Sequence, residues 1–104
     1  MSARIPVDRE KVADFCKRWK VTEFALFGSV LRDDFSPDSD VDVLVTFAPD
    51  ARWGLFDLVR MESELEGIFG RKVELVSRRG LESSANHLRR RAILESAQVV
   101  HVAG

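Results

Sequence analysis

At 104 residues the chain has room for one domain spanning residues 1–104 and none for a second. Its 45% hydrophobic and 32% charged residues exclude a disordered chain, and a net charge of -1 gives no reason to expect direct nucleic-acid binding. One cysteine excludes an internal disulfide, and no apolar run suits a membrane span or a signal peptide, so the expectation is a cytoplasmic protein with no membrane partner.

A helix is expected over residues 8–20. Pro6 and Asp8 suit its start, and Val12, Phe15, Cys16 and Trp19 recur at helical spacing. Cys16 falls among these apolar positions and reads as a core residue. Residues 23–27 read as a short strand stopped by Gly28, and residues 29–32 as one helical turn. Pro37 and several acids make 33–39 a loop. Residues 41–47 form the clearest strand, rich in valine. After a loop carrying Trp53, a second long helix should cover 55–69, with Leu55, Leu58, Val59, Glu62, Leu65, Ile68 and Phe69 on its inner face and Gly70 as its stop. A third strand is expected at 72–76, a last helix at 84–96 and a last strand at 99–102. The order implies an α/β domain, a mixed sheet with covering helices. The strand–helix–strand unit from 40 to 76 should make its two strands parallel, with a right-handed crossover.

Asp40-Val41-Asp42 opens the most hydrophobic strand, and residues two apart on a strand share a face. Two carboxylates at about 6 Å repel by roughly 2–3 kcal/mol at an effective dielectric near 20. A divalent cation offsets that repulsion, and magnesium favours one or two carboxylates together with phosphate oxygens. Glu74 occupies the matching point of the third strand, so a parallel pairing brings it beside Asp42. Gly28-Ser29 ends the first strand in a turn whose backbone amides are suited to phosphate. For that turn to meet the Asp40 end of the next strand, the first two strands must be antiparallel. Taken singly, each feature also has a plain structural reading: an ordinary turn, a solvated strand entry, a partly exposed strand residue.

Leu26-Phe27-Gly28-Ser29, then Arg32, then Asp38-Ser39-Asp40-Val41-Asp42-Val43-Leu44-Val45 resembles the signature of the DNA polymerase beta-like nucleotidyltransferase superfamily, and is most similar to its minimal nucleotidyltransferase (MNT) branch. The resemblance continues through Lys72-Val73-Glu74-Leu75-Val76 to the closing helix and strand. It implies a nucleotidyltransferase-like fold, ATP as substrate, a magnesium site of two ions, and transfer of AMP to an acceptor. It assigns Asp40 and Asp42 to the metals and Gly28 and Ser29 to the phosphates. Many relatives carry aspartate at the third acidic position, where this chain has Glu74, a metal ligand or a base.

The MNT branch also resembles antitoxins that attach AMP to a HEPN-type toxin, which makes such a toxin the expected partner. Larger nucleotidyltransferases hold their acceptor with an added domain, and these 104 residues leave no length for one. That favours a partner protein over a small acceptor such as an aminoglycoside. The remaining alternative is a non-catalytic antitoxin acting by complex formation alone. Arg32 reads equally as a phosphate contact or as a partner of Asp33, Asp34 or Asp38, and Ser39 as an ordering residue of the loop that can also touch a phosphate. The run Arg89-Arg90-Arg91 reads as a solvated helix face or a docking site for an acidic partner. Trp53 reads as a partner anchor or as a residue folded back on the second long helix.

Overall fold

The computed structural model describes residues 7–31, 36 and 38–103. The elements run α1 (Arg9–Arg18), β1 (Val21–Phe27), a 3-10 turn (Gly28–Leu31), β2 (Val41–Phe47), α2 (Leu55–Phe69), β3 (Val73–Ser77), α3 (Arg78–Glu82), α4 (His87–Ser96) and β4 (Gln98–Val102). The strands form one mixed sheet in the order β3-β2-β1-β4. β1 is antiparallel to β2 and β2 is parallel to β3, as the sequence required, and β1 is also antiparallel to β4.

Side-chain alternation along β2 divides the core. Val41, Val43 and Val45 are fully buried on one face with Val12, Phe15, Cys16, Met61 and Leu65, beneath α1 and α2. Leu44 lies on the other face with Ala25, Phe27, Leu81 and Ile93, beneath α3 and α4. Asp42 and Glu74 sit between residues of the first face, and so point to the second.

Local chemistry sets the helix ends. Asp8 caps α1 by accepting from Lys11 N at 3.2 Å, and Lys20 turns left-handed just past its end (φ 56°). Asp57 accepts the Gly54 N–H at 2.9 Å across the first turn of α2. Gly70, with φ 71°, ends α2 in the conformation glycine adopts most readily. α1 and α2 are joined through Glu64, which accepts from Trp19 Nε1 at 2.8 Å and pairs with Arg18.

The buried arc of α2 differs from expectation. Leu58, Ile68 and Phe69 pack against the core and Leu65 is fully buried, but Leu55 and Val59 are 75% and 57% exposed. Met61, left off the expected face, is fully buried. At 3.6 residues per turn, an arc that includes Met61 with Leu58 and Leu65 rotates away from Leu55 and Val59. The helix expected at 84–96 is α4, which starts at His87, and a short helix that the sequence reading did not expect, α3, precedes it. Ser77 caps the short α3 by accepting from Gly80 N at 3.1 Å, and Leu81 anchors it to the sheet. Asn86 then starts α4 by accepting from Arg89 N at 3.0 Å. Trp53 folds inward: its Nε1 donates to Trp19 O at 2.9 Å and the two indoles meet edge-to-face at 5.1 Å.

At the sheet edge, β4 carries an irregularity where Val100 has no partner in the β1 register, and Arg9 Nη1 donates to Val100 O at 2.8 Å. A bulged, arginine-capped edge is a poor template for pairing with another chain.

Candidate active site

The antiparallel register sets Phe27 opposite Asp42, so β1 ends and turns at the point where β2 carries its second acid. Gly28 opens the 3-10 turn with φ 74°. A β-carbon at Gly28 would run into Asp42 Oδ2 and lie 3.2 Å from its Cγ. Two constraints therefore require glycine here: the left-handed backbone and the carboxylate against it. The turn and the acid strand, which the sequence reading expected to meet, come together in the folded chain at Gly28 and Asp42.

Ser29 follows in the turn, with its side chain outside the described residues, as is all of Arg32. Asp40 is exposed at the entry to β2. Ser39 orders the loop before it: its Oγ accepts from Ser36 N at 3.1 Å, and its own N–H reaches Ser36 O at 3.0 Å. Arg71, which the sequence did not single out, clamps this loop by donating to Ser36 O at 3.1 Å and Ser39 O at 3.2 Å. Val41 N donates to Lys72 O at 2.9 Å, which fixes the entry of β2 beside that of β3. The signal available was weak: a basic residue directly after the αL glycine that ends α2.

The parallel register pairs Asp42 with Glu74, as the spacing anticipated. Glu74 is half exposed, and its Oε1 lies 3.6 Å from Arg89 Nη2 on α4. The sequence read Arg89 only as part of a run on a solvated or partner-docking face, not as a neighbour of Glu74. The arginine run does not act as one face. Arg90 Nη1 donates to Glu82 O at 3.0 Å and ties α4 to α3, Arg91 pairs with Glu95 one turn along, and Arg89 alone of the three reaches a site carboxylate. Among the described residues, no three acids, histidines or cysteines gather as a metal-ligand set. Asp42 on β2 and Asp40 at the entry to that strand nevertheless carry carboxylate oxygens near a turn of backbone amides, a donor chemistry that fits a hard divalent cation carrying phosphate.

A mixed sheet whose glycine turn abuts a strand-borne carboxylate pair is the architecture of a nucleotidyltransferase fold. Residues 9–100 match the nucleotidyltransferase domain family, and the chain belongs to it. It is 37% identical over 67 residues to protein adenylyltransferase MntA of Thermococcus cleftensis, a match covering 64% of this chain and 66% of that protein. A solved structure assigned as a minimal nucleotidyltransferase is 38% identical with a TM-score of 0.66, covering 86% of each chain. The complex of tri-AMPylated Shewanella oneidensis HEPN toxin with an MNT antitoxin contains a chain of similar fold. The TM-score is 0.62 at 18% identity, covering 91% of this chain and 70% of that one.

Proposed function

We propose that this chain, as one minimal catalytic domain, transfers AMP from ATP to a partner protein and acts as the antitoxin of a HEPN-type toxin. The observation that carries the reading is the packing of Gly28 against the Asp42 carboxylate, which brings a phosphate-suited turn and an acid to one point. Family membership and the similarity to a protein adenylyltransferase support it.

In this reading the backbone amides of Gly28 and Ser29 hold the triphosphate, with Arg32 and Ser39 at its edge. Asp40 and Asp42 hold the divalent cations, two magnesium ions on this proposal. Magnesium held there would neutralise charge on the triphosphate and act as a Lewis acid toward it. Glu74 stands on the acceptor side and takes the proton of the acceptor hydroxyl. The hydroxyl oxygen then bonds to the α-phosphorus of ATP, the bond to the β-phosphate oxygen breaks, and pyrophosphate leaves. A tyrosine hydroxyl, with a pKa near 10, needs such help at neutral pH. A cytoplasmic setting supplies ATP, and no helix among the described residues is long and apolar enough to cross a membrane.

The test is incubation of the protein with α-labelled ATP, magnesium and a HEPN protein encoded beside it. The expected result is label on the HEPN protein, lost with Asp42→Asn. Tight complex formation with no label transferred would favour the non-catalytic alternative. Efficient labelling of a small alcohol by the domain alone would remove the partner from the mechanism.

A further inference from the structure

Asp40 lies one residue before β2, and neither strand register of β2 includes it. Two hydrogen bonds orient its backbone instead. The peptide group before Asp40 carries Ser39 O, which accepts from Arg71 Nη1 at 3.2 Å. The peptide group after it carries Val41 N, which donates to Lys72 O at 2.9 Å. Two consecutive residues beyond the end of α2 therefore hold both peptide planes that flank Asp40. A peptide group is rigid, so with both planes held the Cα–Cβ bond of Asp40 has one direction, and only its side-chain torsions remain free. The same Nη1 also donates to Ser36 O at 3.1 Å. Ser36 and Ser39 close the turn between them, Ser39 N donating to Ser36 O at 3.0 Å and Ser36 N to Ser39 Oγ at 3.1 Å. One guanidinium nitrogen thus fastens both ends of the turn that leads into Asp40. The Lys72 contact is made by backbone and survives any change of side chain, whereas the Arg71 contact is one that a substitution can remove.

We infer that Arg71 is a positioning residue for metal binding: it holds the Ser39–Asp40 peptide so that the Asp40 carboxylate is aimed, before any cation arrives, at the site it shares with Asp42. The inference rests on the proposed function and adds a residue to it. Asp40 is exposed and stands in a loop. A loop left free loses conformational entropy when a metal takes up its carboxylate, and that loss weakens binding. A loop already fastened loses little. The sign of the effect separates positioning from simple charge. Arg71 is itself a cation, so if it acted only through its charge, its removal would strengthen the hold of nearby carboxylates on a metal ion. If it acts by fastening the loop, its removal weakens that hold.

The experiment measures Mn2+ affinity by electron paramagnetic resonance with an α,β-methylene ATP analogue bound, so that no transfer occurs. Arg71→Ala should bind Mn2+ about 10-fold more weakly, the scale of outer-shell effects on metal affinity. Arg71→Met, which keeps the length of the side chain and removes its donors, should lose as much. Arg71→Ala added to Asp40→Asn should cost nothing beyond Asp40→Asn alone, because the arginine acts through that carboxylate. Arg60→Ala, which removes an exposed positive charge from α2, should match the wild type. A second readout needs no metal. In the protein alone, amide hydrogen exchange at Ser39 should speed up in Arg71→Ala, while Val41, held by Lys72 O, stays protected. Unchanged or tighter Mn2+ binding in both Arg71 variants overturns the inference. So does a further loss in the double variant, which would put Arg71 on the phosphates or on the fold at large. Unchanged exchange at Ser39 overturns it as well, since the turn would then be held by something else. If the wild type with the analogue binds no Mn2+, the metal-site reading falls and this inference with it.

Discussion

Gly28 and Gly70 provide an internally controlled test of the site. Both adopt left-handed backbone, with φ 74° and 71°. They differ in what a methyl group would meet: nothing within 4 Å at Gly70, but the Asp42 carboxylate at Gly28. Gly70→Ala therefore isolates the backbone term, about 1–2 kcal/mol for an L-residue held in the left-handed region. For a domain of this size that lowers Tm by about 4–8 °C per kcal/mol. Gly28→Ala carries the same strain and must also drive Asp42 out of its rotamer, adding about 0.5–1.5 kcal/mol. The functional difference should be larger than the difference in stability. Magnesium with ATP at about 100 times its Kd stabilises a folded protein by about 2.7 kcal/mol. That gain should survive in Gly70→Ala and vanish in Gly28→Ala. Thermal melts of the three proteins with and without magnesium-ATP read both terms at once. If Gly28→Ala keeps the full ligand-induced shift, the Asp42 carboxylate has room to move without loss, and the glycine turn and the acid are not one site.

Asp42→Asn should fold normally and lose most of the magnesium-ATP shift in Tm; an equal shift would remove Asp42 from the metal site. Glu74→Gln should keep nucleotide affinity by calorimetry while slowing single-turnover transfer by about 10²–10⁴-fold, the range for loss of a general base. Normal transfer would make Glu74 a structural strand residue. Burial pushes the Cys16 thiol up from 9.0 to about 12. Above pH 9 the unfolded thiol ionises while the folded one stays neutral, so stability is full below pH 9 and falls as pH rises toward 12, by up to about 1.4 kcal/mol per pH unit from this group. Urea titrations from pH 8 to 10.5 should show that slope reduced in Cys16→Ala, and an unchanged slope would assign it to other groups.

Much of the fold was legible because local rules and tertiary demands agree along β2. Its valines alternate with Asp42, which fixes which residues are buried. The crossover length to β3 made that pair parallel, and equal offsets from the two strand starts set Asp42 beside Glu74. The same reasoning failed on α2, where apolar periodicity could not say how far the helix is rotated on the sheet. Leu55 and Val59 fit the period as well as Met61 does, and only contact with the β2 valines selects among them.

The sequence by itself determined the four strands, the three longer helices, the directions of β1, β2 and β3, and the three acids, because these follow from side-chain alternation, helical period and loop length; it missed α3 and left the pairing of β4 open. Tertiary structure decided what those residues meet. The packing of Gly28 against Asp42 depends on two strands closing to one register. The Arg71 clamp on the Asp40 loop spans 32 residues to Ser39. Of three consecutive arginines, Arg91 pairs locally with Glu95 and Arg90 reaches the Glu82 backbone carbonyl of the preceding helix, but the contact of Arg89 with Glu74 depends on how α4 lies on the sheet. Contacts between segments distant in sequence leave no periodic trace, since any exposed arginine on a helix is locally acceptable whichever carboxylate it finds.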